Sequence, residues 1–344
     1  MPGQAGSAAV TEIPEPPAAD GALLVRALGV GICGTDLEIV RGDYGAAPRG
    51  RARLVIGHES LGRVEDAPKG SGFAPGDLVV GFVRRPDPVP CANCAAGEWD
   101  MCRNGLYTER GIKERDGYCA ERYRIEPEFA VQADPKLGAN AVLIEPASVV
   151  AKAWDHIERI GRRAHWTPRC ALVTGAGPIG LLAALLSVQR GLETHVVDVV
   201  TDGPKPELVH RLGATYHVNG IRGLGFAPDI VLECTGVGGV LVDVLGLAMP
   251  DGIVCLAGVS SGGHRLPLDL GLVNRDLVLH NTVVFGSVNA NRAHYAAAAD
   301  ALAKADQAWL ARLVTRRVPL DRFADALVRR PDDVKVVIDF GLPS

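Results

Sequence analysis

The stretch Cys170-Ala171-Leu172-Val173-Thr174-Gly175-Ala176-Gly177-Pro178-Ile179-Gly180-Leu181-Leu182 decides how this chain is read. It belongs to a run from Cys170 to Val188 that carries no charge and is long enough to suggest a membrane helix. Gly175, Gly177, Pro178 and Gly180 interrupt that run, and it splits into a β-like half, 171–174, and a helix-like half, 181–188. The reading is strand, turn, helix rather than a membrane span. Gly175, Gly177 and Gly180 form a GxGxxG at the turn. The first glycine permits the tight bend, the second lets the backbone approach a pyrophosphate, and the third allows close helix–strand packing. Pro178 and Ile179 complete the phosphate-facing turn. An acid is expected about twenty positions further on, and Asp198 ends the run Thr194-His195-Val196-Val197. Its carboxylate would accept from the ribose hydroxyls and repel a 2′-phosphate. No Arg or Lys follows at once (Val199, Val200, Thr201), which favours NAD over NADP. A glycine-rich turn without nucleotide is the competing reading.

Outward from this turn, strand-like and helix-like segments alternate. 195–199, 207–212, 229–233, 240–247 and 253–257 succeed one another, as a parallel sheet with helices on both faces requires. Upstream the texture differs: short β-like runs such as 22–30 and 78–83, bounded by turn signals such as Pro75-Gly76-Asp77, then a helical stretch over 148–160. Downstream come helical runs at 293–304 and 321–329 and a last strand at 334–340. The expected division is 1–150, 151–288 and 289–344. The N-terminal dozen residues are small and polar, so little order is expected there. The 344 residues suit about two domains. A net charge of −4 without a basic block argues against a nucleic-acid partner, and nothing in 1–10 reads as a signal peptide. Eight cysteines are too sparse for a disulfide scaffold, and point to metal ligands or core thiols of a cytoplasmic protein.

A second constellation lies near the N-terminus. Gly31-Ile32-Cys33-Gly34-Thr35-Asp36 is followed by Gly57-His58-Glu59-Ser60-Leu61-Gly62, and Glu145-Pro146 stands at the end of the first region. Thiolate, imidazole and carboxylate are the ligand types of catalytic zinc sites that keep an open fourth position. Each alone would read as a core or structural residue.

Together these motifs resemble those of the zinc-dependent medium-chain dehydrogenase/reductases, from about Leu23 to the C-terminus. The resemblance implies an α/β chain: a chaperonin-10-like, β-rich catalytic domain plus a Rossmann domain with a doubly wound parallel sheet. It places Cys33, His58 and Glu145 on zinc, with Glu59 as a carboxylate able to approach the metal. Thr35 would relay the substrate proton, and Asp36 would orient the ligating imidazole. Thr235 joins the cofactor-binding residues. Arg84-Arg85, Glu109-Arg110-Gly111-Ile112 with Asp116-Gly117, and Phe285-Gly286-Ser287-Val288-Asn289 are similar to the archaeal-type sugar (glucose) dehydrogenases. In such enzymes the residues matching Glu109 and Asn289 bind sugar hydroxyls. Loop salt bridges and turn amides are the plainer reading of those two.

The chain also departs from that pattern. Cys91, Cys94 and Cys102 occupy a lobe that in the family offers four thiolates, and Pro88 stands in the first place. A second zinc is expected there, with Asp87 or another oxygen as a candidate fourth ligand. Cys119, Cys170, Cys234 and Cys255 read as core residues. The implied activity is hydride transfer between NAD(H) and a CH–OH carbon of a sugar, polyol or similar small molecule, in a homodimer or homotetramer. Reduction of a ketosugar or aminocyclitol is the alternative direction, and a catalytically dead NAD sensor the alternative class.

Overall fold

A computed structural model of the chain describes residues 1–247, 249–260, 262 and 265–341. They fall into two compact units, Met1–Ser148 together with Asn289–Ser344, and Val149–Val288.

The first unit is built on β1 (Leu23–Ile32), whose side chains are almost all buried. β2 (Glu59–Asp66) pairs with it antiparallel, followed by β3 (Leu78–Gly81). β4 (Arg84–Arg85), β5 (Thr108–Arg110) and β6 (Glu114–Arg115) form a separate three-stranded sheet. β7 (Arg122–Ile125) pairs with β1, and β8 (Ala130–Gln132) with β3. Leu23, Val25, Val30, Val64, Val79, Tyr118, Tyr123 and Ile125 make the core between these strands. No strand precedes β1 among the described residues. The N-terminal dozen departs from expectation: Met1 donates its ammonium to Ser7 Oγ at 2.8 Å, and Ser7 donates to Gln4 O at 2.7 Å. The turn so closed lies against Gly42, where an added Cβ would come within 3.1 Å of the Gln4 and Ala5 backbone.

Two short helices carry cysteines at their N-caps. α1 (Gly34–Arg41) starts from Cys33 and stops at Gly42, whose φ of 84° suits a left-handed cap. α2 (Ala92–Ala95) starts from Cys91. α3 (Ile144–Gly161) begins four residues earlier than its apolar pattern suggested, which puts Glu145 in the first turn.

The second unit is a six-stranded parallel sheet in the order β11-β10-β9-β12-β13-β14. Its strands are β9 (Cys170–Thr174), β10 (Glu193–Val197), β11 (Thr215–His217), β12 (Ile230–Glu233), β13 (Ile253–Leu256) and β14 (Val283–Gly286). The helices are α4 (Pro178–Gln189), α5 (Pro204–Arg211), α6 (Gly238–Leu245) and α7 (Leu270–His280). Ala171, Leu172, Val173, Ile230 and Val231 are 0% exposed, as in strands covered on both faces. β10 and β11 lie on one side of β9, and the chain then crosses to β12 on the other, which creates a switch point at the carboxyl ends of β9 and β12. β11, β14 and α7 carry too little periodicity to be read from the sequence.

The tail adds α8 (Arg292–Lys304), α9 (Gln307–Leu313), β15 (Val314–Pro319), α10 (Phe323–Ala326) and β16 (Lys335–Asp339). β16 runs parallel to β15 and antiparallel to β1, with Ile32 opposite Val336. The helix expected over 321–329 is broken into one 3₁₀ turn and the single turn of α10. At the end of α10 and beyond it, the Arg316 guanidinium takes the carbonyls of Asp325 at 2.5 Å and Val328 at 2.8 Å, which holds that stretch as a loop.

The glycine turn after β9 is as tight as its sequence implied. Gly175 has φ 85°, and a Cβ on Gly180 would sit 1.7 Å from the Gly175 carbonyl oxygen. At Gly177 an added Cβ meets nothing within 4 Å, so the backbone there is open to an approaching group. Gly180→Ala should therefore push α4 off β9. Overpacking of this kind costs roughly 1–3 kcal/mol, and a fall of roughly 1–4 °C in Tm by scanning calorimetry is expected, with weaker nucleotide binding.

Candidate active site

Cys33, at the end of β1, caps α1. Its sulfur accepts from the Thr35 N–H at 3.2 Å, while its own N–H donates to Asp36 Oδ2 at 2.9 Å. This reciprocal cap fixes the Asp36 carboxylate under the helix start. His58, just before β2, brings Nε2 to 3.0 Å from Cys33 Sγ and Nδ1 to 3.5 Å from Asp36 Oδ1. His58 Nδ1 and Asp36 Oδ1 are buried with no other hydrogen-bond partner, so each is complementary to the other. A proton on Nδ1, directed at Asp36, leaves the Nε2 lone pair facing the thiol. Burial works against charge on both groups. The opposed charges and hydrogen bonds prevail, holding Asp36 below its ordinary range and His58 well above its own.

Glu145, from the first turn of α3, joins the same place. Ligand atoms of His58, Glu59 and Glu145 lie within 4.8 Å of one another, as do those of Cys33, Asp36 and His58. Burial, reinforced by the neighbouring charge of Glu59, pushes the Glu145 carboxyl up to about 8. Three carboxyls, a thiol and an imidazole thus converge out of water, a donor set that suits a divalent cation. Cys33, His58 and Glu145 offer the sulfur, nitrogen and oxygen. Thr35 is half-buried in the first turn of α1, and its hydroxyl makes no hydrogen bond with the described residues.

Lys335 was not singled out from the sequence. Reaching from the first residue of β16, it donates to Glu59 Oε1 at 2.7 Å, Glu59 Oε2 at 2.6 Å and the Ile32 carbonyl at 3.3 Å. Both partners are almost fully buried, 2% exposed each. Glu59 therefore rests on lysine. Gly31 makes room for it, since a Cβ there would fall 2.0 Å from Glu59 Oε2. The only trace in the sequence was a charged residue opening an apolar strand.

The Cys91, Cys94 and Cys102 sulfurs lie within 4.8 Å of one another. The Arg103 N–H reaches Cys91 Sγ at 3.4 Å and, with other N–H groups, draws that thiol down to about 6, whereas burial pushes Cys94 up to about 11. The Asp87 carboxylate stands outside this set. Its Oδ1 accepts from the Val89 N–H at 2.8 Å, and its Oδ2 is buried without a partner. What Asp87 directs at the lobe is its backbone N–H, toward Cys94.

Glu109 and Asn289 meet. Asn289, held at φ 63°, donates from Nδ2 to Glu109 Oε1 at 2.9 Å. Arg84 donates to the same oxygen through Nε at 3.1 Å and Nη2 at 3.0 Å.

In the second unit, Asp198 accepts from the N–H of Ala176 at 2.6 Å and of Val200 at 3.1 Å. These bonds hold it below the usual carboxylate range against its partial burial. A cation does stand beside it: Lys205, seven residues along in α5, places Nζ 3.4 Å from Asp198 Oδ2. The Thr235 hydroxyl is committed to Glu233, a residue at 0% exposure whose carboxylate also accepts from the N–H groups of Thr235 at 2.7 Å and Gly236 at 3.1 Å. Glu233 was missed because a lone acid closing an apolar strand gives no local signal.

Removing one partner of a buried ion pair costs about 3–5 kcal/mol. Lys335→Met should lose stability of that order in denaturant unfolding, Lys335→Arg much less, and the double variant with Glu59→Gln should recover part of the loss.

Known proteins resemble this chain over nearly its whole length. Residues 19–135 match the family model described as the alcohol dehydrogenase GroES-like domain, and residues 138–340 match that of the glucose dehydrogenase C-terminus. A glucose 1-dehydrogenase of Methanocella arvoryzae is 40% identical, over 99% of this chain and 98% of its own. One from Thermoproteus tenax is 38% identical over 98% and 97%. The glucose dehydrogenase of Haloferax mediterranei, solved with NADP, Zn and gluconolactone, superposes with a TM-score of 0.89 at 32% identity, covering 97% of this chain and 96% of its own. Carrying the same two domains over nearly its whole length, the chain belongs to the zinc-dependent medium-chain dehydrogenase/reductases, in their glucose dehydrogenase branch, as an NAD(P)-dependent oxidoreductase of CH–OH groups.

Proposed function

We propose that the chain oxidises a hydroxyl-bearing carbon of a sugar or polyol, with Cys33, His58 and Glu145 as the zinc ligands. The buried sulfur, nitrogen and oxygen donors gathered around His58 carry this reading. Zinc bound there supplies Lewis acidity that lowers the pKa of a substrate hydroxyl. Asp36 holds the His58 tautomer that presents Nε2. Thr35, with an uncommitted hydroxyl, accepts the substrate proton and passes it outward. Lys335 keeps the Glu59 carboxylate paired beside the residues that would hold the zinc. Glu109 and Asn289 receive the further hydroxyls of the substrate, since polar cavities reject molecules that leave their groups unpaired. Gly175, Gly177, Pro178, Ile179 and Gly180 cradle the pyrophosphate, and Asp198 meets the adenosine ribose. Cys91, Cys94 and Cys102 hold a second zinc; the Asp87 carboxylate would have to turn toward them to complete it.

NAD is the preferred nucleotide on this reading, because Asp198 would oppose a 2′-phosphate. Lys205 on the same carboxylate weakens that opposition, and the Haloferax relative was solved with NADP. The preference should therefore be modest. Asp198→Asn should raise kcat/KM for NADP relative to NAD by about tenfold, a 1.4 kcal/mol change, and Lys205→Ala should move the ratio the other way. Steady-state kinetics with both nucleotides measures this.

A homodimer or homotetramer is the assembly we favour. β14 is an open sheet edge, and the neighbouring α7 exposes Leu270, Leu272, Val278 and Leu279. The eight cysteines are free thiols, in keeping with a cytoplasmic location. No helix among the described residues is long and apolar enough to cross a membrane.

Cys33→Ala and His58→Ala should each lose the zinc of this site and the oxidation of D-glucose. Both should still quench NADH fluorescence on titration. Turnover by a metal-free Cys33→Ala protein would overturn the assignment.

A further inference from the structure

We propose that Arg84 is the positioning residue of the substrate site, fixing one oxygen of Glu109 so that the other alone serves as acceptor for a substrate hydroxyl. The inference rests on the reading above that Glu109 meets the substrate.

Arg84 and Glu109 are direct cross-strand partners in the antiparallel pair β4–β5. Two guanidinium nitrogens of Arg84 and the amide of Asn289 all donate to Glu109 Oε1, at 3.1, 3.0 and 2.9 Å. Oε2 receives no hydrogen bond from any described residue. Glu109 as a whole is 6% exposed, so this unpartnered oxygen stands in a largely enclosed place. A carboxylate with one oxygen saturated and the other open can accept from one direction only.

The guanidinium is itself held on every side. Its Nη1 donates to the Asp100 carbonyl at 3.0 Å, and the Tyr107 ring lies under it at 3.7 Å. Asp100 Oδ1 in turn accepts from Asn291 Nδ2 at 3.0 Å, two residues after Asn289. Arg84, Asp100, Asn291, Asn289 and Glu109 thus close a ring. Asn289 cannot swing out of it easily, because its Oδ1 accepts from the Ala290 N–H at 2.8 Å. The ring explains why arginine stands here: a lysine ammonium is a point charge and cannot hold Glu109 and the Asp100 carbonyl in one plane. It also explains how a nearly buried carboxylate stays available, since the paired guanidinium offsets its charge. The Asp100 carbonyl belongs to the segment between Cys94 and Cys102, so the orientation of Glu109 depends on that lobe.

The test compares Arg84→Met, Arg84→Lys and Glu109→Gln, each with wild-type zinc content, at saturating nucleotide. The substrates are D-glucose, its 2-deoxy and 3-deoxy analogues, and 2-butanol, which has no further hydroxyls. Arg84→Met should raise KM for D-glucose tenfold or more with kcat within about threefold, and should flatten the preference for D-glucose over the deoxy sugars. Its turnover of 2-butanol relative to wild type should fall by a smaller factor than kcat/KM for D-glucose. Arg84→Lys should lie between, and ethylguanidinium should restore KM in Arg84→Met but not in Glu109→Gln. If Arg84→Met does not fold, the Arg84→Lys discrimination pattern decides. If Glu109→Gln leaves the deoxy-sugar preference intact, the placement of substrate at Glu109 is wrong. If Glu109→Gln abolishes that preference and the Arg84 variants keep it, the positioning role of Arg84 is overturned.

Discussion

The ion pair between Lys335 and Glu59 is the interaction on which the first unit depends. Glu59 opens β2 beside His58, in surroundings where an unpaired carboxylate would cost several kcal/mol. Its partner comes from the far end of the chain, and only an antiparallel β16 against β1 delivers it. A slip of one residue would turn Lys335 to the other face of the sheet. The bare Gly31 is required by the same arrangement, because any side chain there would occupy the place of the carboxylate. A strand register, a glycine and a buried lysine thus answer one electrostatic demand. The demand arises from gathering acids around a histidine.

Pairing of a carboxylate with nearby donors recurs at several other acids of this protein. Asp36 is tied to the Cys33 N–H and faces His58. Glu233 receives the N–H groups of the turn that follows β12, and Asp198 those of Ala176 and Val200. Glu109 is closed in by Arg84 and Asn289. Each carboxylate organises a turn or loop at the end of a strand, which is where ligand-facing groups stand in both kinds of sheet.

Much of the site was legible in the sequence because its signals are local. The turn at Gly175, Gly177 and Gly180 could be read from steric need alone, and the structure shows the same need in the contact a Cβ on Gly180 would make. Cys33, Thr35 and Asp36 share one helix cap, and His58 and Glu59 one strand start. Residues whose roles depend on partners far along the chain were hidden. Lys335 looked like the first residue of an ordinary strand, and Glu233, which also accepts from the Thr174 hydroxyl at 3.2 Å, like a strand end; Lys205, though near Asp198 in sequence, looked like a helix surface charge. The loop that replaces the end of the helix expected after Asp321 was likewise invisible, because Arg316 binds its carbonyls from outside the segment.

By itself the sequence determined the parallel-sheet unit around its glycine turn, the β-rich unit before it, and the residue types able to hold a metal. Spacing and side-chain chemistry suffice for these, since they act over a few residues. Only the tertiary structure decided which acids meet which cations. Lys335 with Glu59 and Arg84 with Glu109 are set by chain return and strand register. A buried charge responds to whatever lies within a few ångströms of it, however distant in sequence.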